Sequence, residues 1–127
     1  MASRTRRKKT TLGISLVDVH IRFFPNATTD PTYYDPGGSV ESIEHSATGK
    51  YLVTLKDSWL RLVGCQITTQ LDGDSEDLYG ALGDVDLAAK TLYILTKTGS
   101  SNTDSGAADD NQSVSVTLTF QESTVTQ

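Results

Sequence analysis

A chain of 127 residues has room for one hydrophobic core and hardly for two. Only 36% of it is hydrophobic, and Thr, Val and Ile outnumber helix formers such as Ala, Met and Gln, which suits two thin packed layers of strands with polar outer faces. The single cysteine, Cys65, excludes an internal disulfide and a Cys-based metal site, and no apolar run approaches the roughly 18 residues of a spanning helix.

The net charge of −5 hides a split between the start of the chain and the rest. Arg4, Arg6, Arg7, Lys8 and Lys9 are five of the eleven basic residues, with no acid among them, whereas residues 10–127 carry six basic against sixteen acidic residues. Residues 1–11 therefore read as a basic arm with little to bury, unstructured until bound, and residues 12–127 as a single β domain. An acidic body repels nucleic acid, so phosphate contact is expected only through the arm. The basic start is followed by no apolar stretch of the signal-peptide kind, which leads to the expectation of a soluble protein made in a reducing cytoplasm.

Leu12 to Phe24 reads as a long strand. Leu12, Ile14 and Leu16 alternate in one register and Val17, Val19, Ile21 and Phe23 in the other, so either a β-bulge falls at Leu16–Val17 or both faces are covered there. Pro25 to Ser39 holds all three prolines with Gly37 and Gly38 and reads as a long loop, ordered by Tyr33 and Tyr34 and suited to contacts. Val40 to Ser46 is a short strand, Ala47-Thr48-Gly49 the turn after it, and Tyr51, Val53 and Leu55 the inward face of the returning strand.

Lys56-Asp57-Ser58 turns the chain into a strand over Trp59 to Leu71, with Val63, Cys65, Ile67 and Leu71 on one face. Asp72 to Asp77 is an acidic loop. Leu78 to Leu87 is a short strand with a turn, and Thr91 to Thr96 a strand with Leu92 and Ile94 on one face. Gly99 to Gln112 is rich in Gly, Ser, Asn and Asp and reads as a flexible loop. Val114, Val116, Leu118 and Phe120 then alternate with polar residues in the most regular strand of the chain. The expected fold is all-β, an antiparallel sandwich or barrel of about seven or eight strands. Val53, Leu55, Val63, Ile67, Ile94, Val116 and Leu118 are its expected core.

Few residues point to chemistry. Asp72-Gly73-Asp74-Ser75-Glu76-Asp77 begins like a calcium loop, but Asp77 stands where an EF-hand needs glycine, so a solvated acidic loop is the expected role. His20 and His45 sit in strands with no nucleophile pattern beside them, and no phosphate loop or nucleophile elbow occurs. Asn26-Ala27-Thr28 and Asn111-Gln112-Ser113 fit the glycosylation pattern and, without a secretion signal, mark only loops. Trp59 is expected to anchor the core or an oligomer contact. These residues point to a binding protein without cofactor, metal or catalytic site.

Ala47-Thr48-Gly49-Lys50-Tyr51-Leu52-Val53-Thr54-Leu55-Lys56-Asp57 followed by Trp59-Leu60-Arg61-Leu62-Val63, then Lys90-Thr91-Leu92-Tyr93-Ile94 and Val114-Ser115-Val116-Thr117-Leu118-Thr119-Phe120, resembles small tailed-bacteriophage virion proteins that decorate or cement the capsid. The resemblance spans residues 40–127. It implies a non-enzymatic structural protein, made in the host cytoplasm and residing on the capsid surface of the virion. There it would bind the major capsid protein, as a dimer or trimer and with no membrane contact, and stabilise contacts between capsid subunits. The residues expected to meet partners are Arg4, Arg6, Arg7, Lys8, Lys9, Tyr33 and Tyr34. The alternative from another class is a carbohydrate- or receptor-binding β-sandwich of a tail or fibre, for which grouped exposed aromatics would speak.

Overall fold

In the computed structural model the described residues are 7–11, 14–70, 78–104 and 112–121, with side chains described from residue 16 onward. In chain order the strands are β1 (Arg7–Thr11), β2 (Ile14–Asn26), β3 (Thr29–Tyr34), β4 (Val40–Ala47), β5 (Lys50–Leu55), β6 (Arg61–Gln70), β7 (Tyr79–Asp86), β8 (Thr91–Thr98), β9 (Ser101–Asn102) and β10 (Ser113–Gln121). They form two five-stranded antiparallel sheets, and no helix occurs among the described residues. The first runs β1-β2-β10-β6 with β3 also on β2, and the second runs β4-β5-β8-β7 with β9 on β8. The fold is the all-β sandwich expected from the alternating pattern.

Period-two patterning explains which faces meet. Val17, Val19, Ile21 and Phe23 of β2 lie on the same inner face as Val114, Val116, Leu118 and Phe120 of β10, all fully or nearly fully buried. Tyr51, Val53 and Leu55 of β5 and Leu92 and Ile94 of β8 form the facing layer. Burying a side chain of this size contributes about 1.5–3 kcal/mol, so these two central pairs carry most of the cohesion. Aromatic contacts cross the interior: Phe23 and Tyr51 lie 5.0 Å apart, tilted by 47°. At one end Trp59 stacks on Phe120 at 4.9 Å and 11°, which makes it a core anchor.

Glycine sets the closest approach between the sheets. A β-carbon on Gly80 of β7 would collide with Ile67 Cγ2 of β6, so the sheets meet there only because Gly80 has no side chain. On the other side, the Tyr33 hydroxyl donates to the Glu41 carbonyl at 3.2 Å and Asp30 Oδ1 accepts from the His45 amide at 2.9 Å, tying β3 to β4.

Several expectations are corrected. The stretch from Pro25 to Ser39 is not one loop: β2 runs on to Asn26, Ala27 takes a φ of 49° in the turn, and β3 returns along β2. Proline is tolerated because β3 is an edge strand on this sheet, where Pro31 needs no second ladder bond, and Pro25 falls at the irregularity between Phe24 and Asn26. No bulge occurs at Leu16–Val17, since pairing with β10 is continuous from Leu16 to Phe23. The parity of β2 is set by Val17 onward, and Leu16 takes the outer side, half-buried.

Val63 is 53% exposed and does not belong to the core. The β6–β10 register jumps from Thr119–Gly64 to Phe120–Leu62, leaving Val63 as the extra residue of a bulge. Leu62, Cys65 and Ile67 pack partly against the core, so the bulge flips a face that strict alternation would have continued. The strand itself begins at Arg61, after Trp59. The expected loop at 99–112 opens with β9 and with Thr103 and Asp104 held by hydrogen bonds. Residues 105–111 and the acidic loop over 72–77 lie outside the described residues.

Candidate functional site

Of the residues expected to meet partners, Arg4 and Arg6 lie outside the described residues. Arg7, Lys8 and Lys9 fall in β1, whose backbone pairs with β2 as Arg7–Asp18, Lys8–Val17 and Lys9–Leu16. The part of the basic arm next to the body, Arg7–Thr11, is thus added as a strand to the rim of the first sheet. The same edge of β2 takes β3 at Arg22–Asn26, so β1 and β3 flank a short stretch around His20 to which neither is paired.

Tyr33 and Tyr34 do not form one aromatic patch. As neighbours on a strand they point to opposite faces: Tyr33 reaches toward Glu41, and Tyr34, 63% exposed, stands beside Arg22 on the outer face of the first sheet. That outer face is a ladder of polar side chains. Asp18, Thr119 and Gly64 share one row, His20, Thr117 and Gln66 the next, and Arg22, Ser115 and Thr68 the third.

These side chains hold one another in place. Thr119 Oγ1 donates to Asp18 Oδ1 at 2.7 Å, and His20 Nδ1 and Thr117 Oγ1 are hydrogen-bonded at 3.1 Å. Arg22 Nε donates to Ser113 Oγ at 3.0 Å and Nη2 to Gln70 Oε1 at 3.1 Å, with the guanidinium 5.2 Å from the centre of the Phe24 ring. Two shallow depressions adjoin here. One, of about 230 Å³, is lined by His20, Arg22, Tyr34, Pro36, Ser115 and Thr117. The other, of about 290 Å³, is lined by Asp18, His20, Gly64, Gln66, Thr117 and Thr119.

A second polar cluster lies at the β4–β5 turn. His45 Nε2 meets Asp104 Oδ1 at 2.7 Å, and the same oxygen accepts from the Gly49 amide at 2.6 Å. Thr96 Oγ1 donates to the Thr103 carbonyl at 2.7 Å, and the His45 ring meets Tyr51 edge-on at 5.5 Å. The cluster fastens residues 103–104 to the hairpin. Cys65 is half-buried, and burial pushes its thiol pKa above the ordinary value, the opposite of an activated nucleophile. No cluster of three or more metal-ligating side chains occurs among the described residues.

The alternating pattern places His20 in a strand and does not distinguish Arg22, Gln66 or Thr117 from other polar strand residues. The signal was the polar run Asp18, His20, Arg22 at spacing two, which marks one face of a strand. What stands opposite each depends on the β2–β10–β6 register, which no local pattern contains. Compared with protein-family models, with curated proteins and with solved structures, the chain finds no match.

Proposed function

We propose that this chain is a non-enzymatic decoration protein that binds the outside of a tailed-phage capsid and stabilises contacts between major capsid protein subunits. The placement of the basic arm supports the reading: Arg7–Thr11 joins the rim of a packed sandwich as an added strand, so Arg7, Lys8 and Lys9 are set along one fixed edge of the first sheet. An arm rooted in this way can reach across an acidic neighbour while the acidic body stays in solvent. Exposed ion pairs contribute only about 0–1 kcal/mol each, so attachment through several of them depends on their number and on salt.

The body also exposes apolar side chains suited to self-association. Leu60, Val63, Leu82 and Val85 are between 36% and 53% exposed and lie on or beside β6 and β7, the edge strands that end their respective sheets. A dimer or trimer on the shell would cover some of these side chains.

Removing residues 1–11 tests the arm. The deletion takes away β1 but leaves every inward side chain of β2 paired with β10, so the body is expected to stay folded. Full-length protein should bind purified empty and genome-filled shells equally and come off with rising salt, and the truncated form should bind weakly to both. Equal binding by the two forms removes the arm as the attachment device. Binding of the full chain only where nucleic acid is accessible assigns the arm to phosphate neutralisation instead.

A further inference from the structure

We infer that the outer face of the β2–β10–β6 sheet is a binding site for a neutral oligosaccharide, seated across His20 and Thr117 with Tyr34 as its aromatic wall. This goes beyond capsid attachment and does not depend on it.

Shape limits the ligand first. The two depressions, about 230 and 290 Å³, are shallow and share His20 and Thr117. Each is the size for one sugar ring, and two linked rings would straddle the shared pair. The floor is made of Gly64, Ser115, Thr117 and Thr119, small residues that let a ring lie close to the sheet. A bulky apolar ligand would find no deep pocket here.

Charge then selects among polar ligands. Arg22 bounds one end and Asp18 the other, two rows away on the same strand, about 14 Å apart by strand geometry. An anion long enough to fill both depressions gains at Arg22 and is repelled at Asp18. A chain of hydroxyl groups can accept from the guanidinium at one end and donate toward the carboxylate at the other, with His20, Gln66 and the threonine hydroxyls able to serve in either direction between them. Nucleic acid is disfavoured by the same carboxylate and by the acidic body.

Order and stacking complete the site. Arg22 is braced by Ser113 and Gln70, His20 by Thr117, and Asp18 by Thr119, so a ligand meets donors and acceptors already fixed in position. Tyr34 is the most exposed of the large apolar or aromatic side chains among the described residues. Its electron-rich ring face suits the C–H side of a pyranose, and a tyrosine hydroxyl can both donate to and accept from a sugar. A solvated face has no need of a bare tyrosine at the edge of a braced polar ladder.

The full chain, labelled with nitrogen-15, is titrated with maltotriose, cellotriose, chitotriose and lactose, with sialyllactose as the anionic arm. At least one neutral sugar is expected to shift the amides of residues 18–22, 64–66 and 115–119, with a dissociation constant of about 0.1–10 mM, the range for a shallow site. Tyr34→Ala removes only an exposed ring and should weaken binding about tenfold, worth about 1.4 kcal/mol. Thr117→Val should weaken it as well, and Tyr79→Ala, on the other sheet, should leave it unchanged. The inference is overturned if no neutral sugar moves these amides, if sialyllactose alone does so, which would make Arg22 a simple anion site, or if Tyr34→Ala binds as tightly as the native chain.

Discussion

Replacing Gly49 with alanine sets two penalties on one residue, and Gly99 separates them. Both glycines have φ near +60°, where an L-residue loses about 1–2 kcal/mol relative to its usual conformation. Around Gly99 nothing among the described residues lies within 4 Å of an added β-carbon, so Gly99→Ala should lose that strain alone. At Gly49 the same β-carbon would sit 2.5 Å from both Thr103 N and Thr96 O and 2.8 Å from Thr103 O, all backbone atoms that cannot rotate away. The strand end must shift, at about 1–3 kcal/mol for overpacking. The Thr103 amide bond to the Thr96 carbonyl, 2.9 Å in the native chain, is lost with it, at about 1 kcal/mol. Gly49→Ala is therefore expected to lose about 3–6 kcal/mol against about 1–2 for Gly99→Ala. Urea unfolding of the three proteins reads this directly from the midpoint and slope, and each kcal/mol should also lower the melting temperature by about 3–5 °C. If the two variants lose stability equally, the close packing of residues 103–104 against the β4–β5 turn is not a source of stability, and the reasoning fails.

Two further outcomes follow from burial. Leu118→Ala, at the fully buried centre of β10, should lose about 2–5 kcal/mol, whereas Val63→Ser should change stability by less than about 0.5 kcal/mol because the bulge turns Val63 to solvent; a large loss at Val63 in urea unfolding would place it back inside. Burial raises the Cys65 pKa, so at neutral pH less thiolate forms in the native chain than in the unfolded one; iodoacetamide should label native protein several times more slowly than urea-unfolded protein, with the native rate climbing as pH passes the ordinary thiol range, and equal rates at neutral pH would contradict this.

The sequence by itself determined the class of fold and most of the core. Alternation in β5, β8 and β10 is local information, because side chains two apart must share a face whatever the strand pairs with, and Val53, Leu55, Ile94, Val116 and Leu118 are buried as that alternation requires. Three things were decided only by the tertiary structure. Val63 is turned outward by a bulge that exists because β6 must match the register of β10. The proline-rich stretch becomes a strand because β2 offers it an edge where proline loses nothing. The Asp18–His20–Arg22 face becomes a braced polar site because β10 and β6 place Thr119, Thr117, Ser113 and Gln70 against it. In each case the deciding partner is distant along the chain, and a period-two pattern specifies which way a side chain points without specifying what it will meet there.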